Sequence, residues 1–150
     1  MGATTEVQEL ALGWVIAAIN VENLDDVVRA KIGDIRQEQI RTLHFDDALV
    51  DTGATILSLP KRFVQQLGLD FVRRRRGITP LGPRMIKQYG AVRLSIQGRD
   101  CIVDVAEVSD RTPVLIGQVP LELLDFVVDP RQGKLIPNPA HGGEWTIELC

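Results

Sequence analysis

The segment Ala48-Leu49-Val50-Asp51-Thr52-Gly53-Ala54-Thr55 sets one carboxylic acid directly after an apolar run. Withdrawing a carboxylate from water is costly unless hydrogen bonds or opposite charge compensate. Glycine two residues on lets backbone amides come close to that group, and Thr52 adds a hydroxyl that both donates and accepts. An acid positioned, hydrogen-bonded and partly sheltered in this way meets the conditions for general acid or base catalysis. Taken alone, Asp-Thr-Gly does not separate such a site from an Asx-type turn that merely ends a strand. Asp46 and Asp47 read as turn residues. His44 and His141 lie far apart without ligand spacing, so no metal is expected. Of the two cysteines, Cys101 sits in an apolar run and reads as a small core residue. Cys150, the last residue, is left open between a free thiol and an interchain pair. Neither cysteine has CxxC spacing, and a reducing, cytoplasmic setting is expected.

The elements that must hold Asp51 are mostly short β-type runs. With 150 residues, 45% of them apolar and 25% charged, the chain has the length and mix of a single globular domain. That excludes disorder, collagen-like repeats and a bundle of membrane spans. A net charge of −3 gives no global attraction to nucleic acid. Leu10 to Val21 is too short to span a bilayer and is preceded by Glu6 and Glu9, unlike a signal peptide. Neither a membrane nor a nucleic-acid partner is expected.

Val15 to Val21 reads as a strand closed by a polar turn, with Val27 to Ile32 continuing a hairpin. Gly33 to Gln39 reads as an insertion, Ile40 to Phe45 as a strand, Asp46-Asp47 as a turn, and Ala48 to Val50 as another short strand. Pro60 to Leu67 reads as a short helix ended by Gly68. Gly77 to Pro83 is a loop beside Arg73 to Arg76, an arginine run read as solvated. Val92 to Ile96 and Cys101 to Val108 alternate as a hairpin turned by Gly98-Arg99-Asp100. Val114 to Gly117 is a strand ending in glycine, and Pro120 to Leu124 begins a second helix. Phe126 to Val128 and Lys134 to Ile136 flank a turn, and Trp145 to Leu149 reads as a final strand.

On two motifs the chain resembles the retroviral-like (retropepsin-type) aspartic proteases. Leu49-Val50-Asp51-Thr52-Gly53-Ala54 matches that family's apolar pair followed by Asp-Thr-Gly-Ala. About sixty residues later, Val114-Leu115-Ile116-Gly117 followed by Leu121 to Leu124 matches its apolar-apolar-Gly and short helix. The resemblance runs from about Val15 to Ile136. It implies a mainly β, closed or partly open barrel-like acid protease fold with one or two short helices and one lobe per chain. Residues 1–14 would be an N-terminal segment, 15–136 the protease domain, and 137–150 a C-terminal extension with a short strand.

The resemblance further implies an aspartic endopeptidase without a cofactor. With one Asp-Thr-Gly in the chain, the second aspartate would be Asp51 of another copy, making a homodimer that acts on a peptide or protein substrate. Thr52 would brace the two loops, Gly53 and Ala54 would shape the catalytic turn, and Gly117 would let a neighbouring strand pass close. Gly77 to Tyr89 would be a flap stiffened by Pro80 and Pro83. Val50, Thr55, Ile78, Leu81 and Ile86 are the candidates to contact substrate. The alternative is a non-proteolytic peptide-binding or dimerisation module with the same fold.

Overall fold

A computed structural model describes residues 14–149. The N-terminal segment before Trp14 and the question of Cys150 lie outside the described residues. The first strand, β1 (Val15–Asn23), buries every second residue: Val15, Ala17, Ile19 and Val21 face inward while Ile16 and Ala18 face out. This period of two is what a sheet with one packed face demands. Asn23 then accepts the backbone N–H of Asp26 at 3.1 Å and caps a helix, α1 (Leu24–Lys31). The expected hairpin at Val27 to Ile32 is therefore corrected. An N-cap asparagine, acids at Asp25 and Asp26 in the first turn, and Arg29 and Lys31 in the last turn outweigh the β preference of Val27 and Val28.

The polar stretch that follows makes a turn and a short 3₁₀ segment at Gln37–Gln39. β2 (Thr42–Val50) is one strand rather than two separated by a turn. Ala17 pairs with Ala48 and Ile19 with Phe45, so Asp46 and Asp47 together oppose Ala18. The two acids form a β-bulge, which bends the strand and lets the ladder run on to Val50. A short strand not expected from the sequence, β3 (Leu57–Pro60), leads into α2 (Lys61–Gln66). Val64 and Leu67 are buried on its inner face, and Gly68 closes it at φ +62°.

β4 (Asp70–Thr79) and β5 (Gly82–Ile96) form a long hairpin, with Thr79 paired to Gly82. The arginine run expected in a loop thus lies in strand, and the loop expected at Gly77 to Pro83 narrows to the two-residue turn Pro80-Leu81. β6 (Arg99–Val108) returns from β5 through Gln97-Gly98, both at positive φ, one residue earlier than the expected turn. β7 (Leu115–Ile116) and α3 (Gln118–Leu124) follow, then the hairpin of β8 (Phe126–Asp129) and β9 (Lys134–Pro137).

The larger sheet runs β1-β2-β7-β3-β6-β5-β4, and Asn20–Asn23 of β1 also pair with Ser95–Val92 of β5. Six strands therefore close into a barrel, and β4 hangs outside on the first half of β5. The expectation of a mainly β, barrel-like fold holds at that level, with three short α-helices among the described residues where one or two were expected. The interior is filled by Ile19, Val21, Leu57, Leu59, Val92, Leu94, Ile96, Val105 and Ile116. Trp145 to Leu149 is not a strand. Its backbone is held by side chains instead: Thr146 N–H donates to Asp125 Oδ2 at 3.1 Å, and the Trp145 indole donates to Leu123 O at 3.0 Å. No described helix is long and apolar enough to cross a membrane.

Candidate functional site

Asp51 is the first residue beyond β2, and the local fold around it is an interlock of two loops. β2 lies parallel to β7, with Leu49 beside Leu115 and Val50 beside Ile116. The Asp51 N–H continues that ladder, donating to Ile116 O at 2.9 Å. The chain then reverses over Thr52 and Gly53, with Ala54 N–H donating to Asp51 O at 3.0 Å. Coming back as β3, it meets β7 from the other side, Leu57 opposite Ile116. Gly117 N–H donates to Ile56 O at 3.1 Å, Gln118 N–H to Ala54 O at 2.9 Å, and Val119 N–H to Thr55 O at 2.9 Å. The start of α3 therefore gives its unpaired amides to the Asp51 loop, satisfying donors that a helix cannot use internally.

Glycine is required at this crossing. A Cβ on Gly117 would lie 2.6 Å from Ile56 O and from Thr55 C, both backbone atoms. Gly53 serves the carboxylate: its N–H donates to Asp51 Oδ1 at 3.0 Å. A Cβ there would stand 3.2 Å from the same oxygen. The reading of Gly53 and Gly117 as close-approach positions holds geometrically.

The expected shelter of Asp51 does not. Asp51, Thr52, Gly53 and Thr55 are exposed, and Val50 and Ala54 are half-buried. The apolar run before the acid ends on the barrel's surface, so Asp51 stays in water within one chain. Val50 packs partly against the core. The structure brings Asp51, Thr52, Gly53, Ala54, Thr55 and Gly117 into one interlocked loop pair. Ile78, Leu81 and Ile86 are carried separately, on the β4–β5 hairpin. Ile78 and Leu81 are 74% and 83% exposed at its tip, whereas Ile86 lies across Gly77.

Three backbone groups were not singled out from the sequence: Ile56 O and the N–H groups of Gln118 and Val119. Their signal was the glycine itself, since a Gly before a helix opens space for a second backbone. A second polar centre also escaped notice. Asp125 ends α3 in the left-handed region, φ +57°, and is nearly buried. Its carboxylate accepts from His141 Nδ1 at 2.8 Å, Asn138 Nδ2 at 3.1 Å and Thr146 N–H. Burial pushes this carboxyl up, but the His141, Thr146 and Asn138 hydrogen bonds outweigh it and hold it below its ordinary value. His141 is raised, first by its bond to Asp125 and then by Glu148, whose Oε1 meets Nε2 at 2.8 Å.

The two histidines are far from shared ligation: His44 bridges Asn20 and Asp46 on the β1–β2 face. Among the described residues no cluster of His, Cys, Asp or Glu is arranged to hold a metal. Cys101 is buried, as expected, and burial pushes its thiol up to about 11, which keeps it protonated and unreactive near neutral pH. No known family model and no curated protein matches this chain.

Proposed function

We propose that this chain is one half of a retroviral-like aspartic endopeptidase, completed by a second copy across a two-fold axis. The observation that carries the reading is the interlock at Gly117: a backbone crossing that presents an exposed Asp51 carboxyl with one oxygen already held by the Gly53 amide. A closed barrel with that loop on its surface and one hairpin arm outside it supports the same reading. So does the exposure of Thr52, the residue that would bond across to its counterpart.

In this reading the two Asp51 carboxyls sit about 3 Å apart and cannot both ionise. They share a proton and titrate as a pair. The ionised member takes a proton from a water molecule, whose oxygen attacks the scissile carbonyl carbon. The protonated member donates to the carbonyl oxygen as it gains charge. Collapse of the tetrahedral intermediate breaks the C–N bond, and a proton passes to the leaving nitrogen. The Gly53 amides hold each carboxyl in orientation, so little reorganisation is needed during the step. The β4–β5 hairpin acts as the flap over an extended peptide, with exposed Ile78 and Leu81 at its tip, and Val50, Thr55 and Ile86 complete the contacts.

Digestion of a broad peptide library from acid to neutral pH tests this. The wild-type chain is expected to cut, and Asp51→Asn to be silent with its circular dichroism unchanged. Equal cutting by both sinks the proposal. Binding of peptides without cutting by a folded wild-type dimer would favour the non-proteolytic module instead.

A further inference from the structure

The β4–β5 hairpin concentrates charge in a way the proposed chemistry does not use. Between residues 70 and 89 stand Arg73, Arg74, Arg75, Arg76, Arg84 and Lys87 against a single acid, Asp70, in a chain whose net charge is −3. Arg73 is partly neutralised by Asp104, 4.0 Å away. The other five have no ion-pair partner among the described residues. Uncompensated like charges on neighbouring residues repel and destabilise an isolated hairpin.

β4 is also the terminal strand of its sheet, so one side of its ten-residue backbone is unpaired. Its side chains fall on both faces. Arg74 stands opposite Lys87 and Arg76 opposite Met85, while Arg75 stands opposite Ile86. On the first face Phe71 and Tyr89 join Arg74 and Lys87 around an open groove of about 620 Å³. Basic residues on an edge strand discourage indiscriminate strand pairing. Charge of one sign along both faces leaves one kind of strand that fits.

We propose that the outer edge of β4 docks an acidic, extended polypeptide by strand addition. Its carboxylates would pair with Arg74, Arg75, Arg76 and Lys87, and its apolar side chains would lie in the Phe71–Tyr89 groove. Backbone hydrogen bonds supply register and the arginines select charge. A nucleic acid fits less well. Its backbone cannot use the free ladder, and the aromatic rings are already engaged, edge to face with each other at 5.8 Å and, for Tyr89, by a 3.1 Å bond to Glu107. Docking at this edge does not depend on peptide hydrolysis.

The test uses the full chain carrying Asp51→Asn, so that no probe is cut, and follows fluorescence anisotropy. The probes are a labelled peptide as long as β4 with Glu or Asp on both faces and Val at the end that meets Phe71 and Tyr89, its Lys-substituted counterpart, the same acidic peptide N-methylated at every amide, and an oligothymidylate. The acidic peptide is expected to bind, weakening with added salt. N-methylation and Arg74→Glu/Arg76→Glu should each weaken it by about tenfold or more. Equal binding of the N-methylated peptide overturns strand addition. Failure of the acidic peptide to bind, no preference for it over the Lys peptide, or tighter binding of oligothymidylate overturns the docking site. Because the N-methyl arm uses unaltered arginines, a misfolded double variant does not decide the outcome.

Discussion

Two aspartates mark the ends of the segment that leads out of β2 and back through α3. Asp51 is exposed, and its carboxyl has one hydrogen-bond donor among the described residues, the Gly53 amide. Asp125 is nearly buried and has three groups bonding to it, His141, Asn138 and the Thr146 amide. Asp26 follows the Asp125 pattern: its side chain is 4% exposed and takes both Arg41 Nε at 2.8 Å and Nη2 at 3.0 Å. A carboxylate satisfied inside one chain holds structure together and has little left to offer a substrate. Asp51 is gripped on one oxygen and otherwise left open, which is what the proposed shared site asks of it.

The contrast predicts opposite consequences for removing charge at the two kinds of site. Asp51→Asn should cut turnover by about a thousandfold or more, the scale of losing an essential acid–base pair, while the melting temperature barely moves. Asp125→Asn should do the reverse to the fold, lowering the melting temperature by several degrees and freeing the tail. If Asp51→Asn unfolds the chain, the distinction between the two sites collapses.

The brace between them should be the next most sensitive point. Gly117→Ala forces a methyl against backbone at 2.6 Å, so the loop must move. A loss of about 3 kcal/mol is expected in urea denaturation, beyond ordinary overpacking because no side chain there can yield. Arg41→Met removes the charged partner of the buried Asp26 carboxylate, leaving it the residue-41 backbone N–H, and should cost a similar or smaller amount, about 2–3 kcal/mol. The side-chain hydrogen bond from Arg41 holds Asp26 below its ordinary range despite burial, so wild-type stability from this pair fades as the medium is acidified below about pH 4. A variant as stable as wild type would show that the pair is dispensable.

The smallest effect concerns the tail. His141 is raised above its ordinary 6.5, so its contribution is complete below that pH and is lost as pH rises through the raised value. Asp125 is lowered, so its share persists above its ordinary 3.8 and disappears only as pH falls through the lowered value. Tail anchoring is therefore firmest between about pH 4 and 6.5 and loosens toward alkaline pH. Trp145 fluorescence should shift across that alkaline range and stop shifting in His141→Gln. A pH-independent signal would mean that Arg99, whose Nη2 donates to Gly143 O at 2.8 Å, and the indole bond to Leu123 hold the tail unaided.

What could be read in the sequence was local chemistry with a short reach. Asp51 and Gly53 were visible as an acid beside a close-approach glycine, a pattern an Asx turn shares, and Gly117 was singled out only through the family resemblance. The β5–β6 hairpin was visible because its strands alternate, although its turn was expected one residue later, at Gly98-Arg99-Asp100. The helix α1 was missed because Val27 and Val28 drew attention from the Asn23 cap and the charges at its two ends. The β2 bulge was misread because Asp46-Asp47 has the composition of a turn, and only the opposing strand, with Ala18 alone across from both acids, tells the two apart. The arginine run was placed in a loop because nothing nearby in sequence announces that β5 pairs with it. The tail was taken as a strand because its Asp125 anchor lies some twenty residues away. Apart from α1, whose signals were local, each of these misses depended on a partner distant in the chain.

The central claim is that two copies of Asp51 form one active site, and co-refolding equal amounts of wild-type and Asp51→Asn chains tests it most directly. Random pairing leaves about a quarter of the dimers with two aspartates, so activity should fall to about a quarter of that of the same total amount of wild-type chain. A chain that worked alone would retain about half, and that result would contradict the shared site.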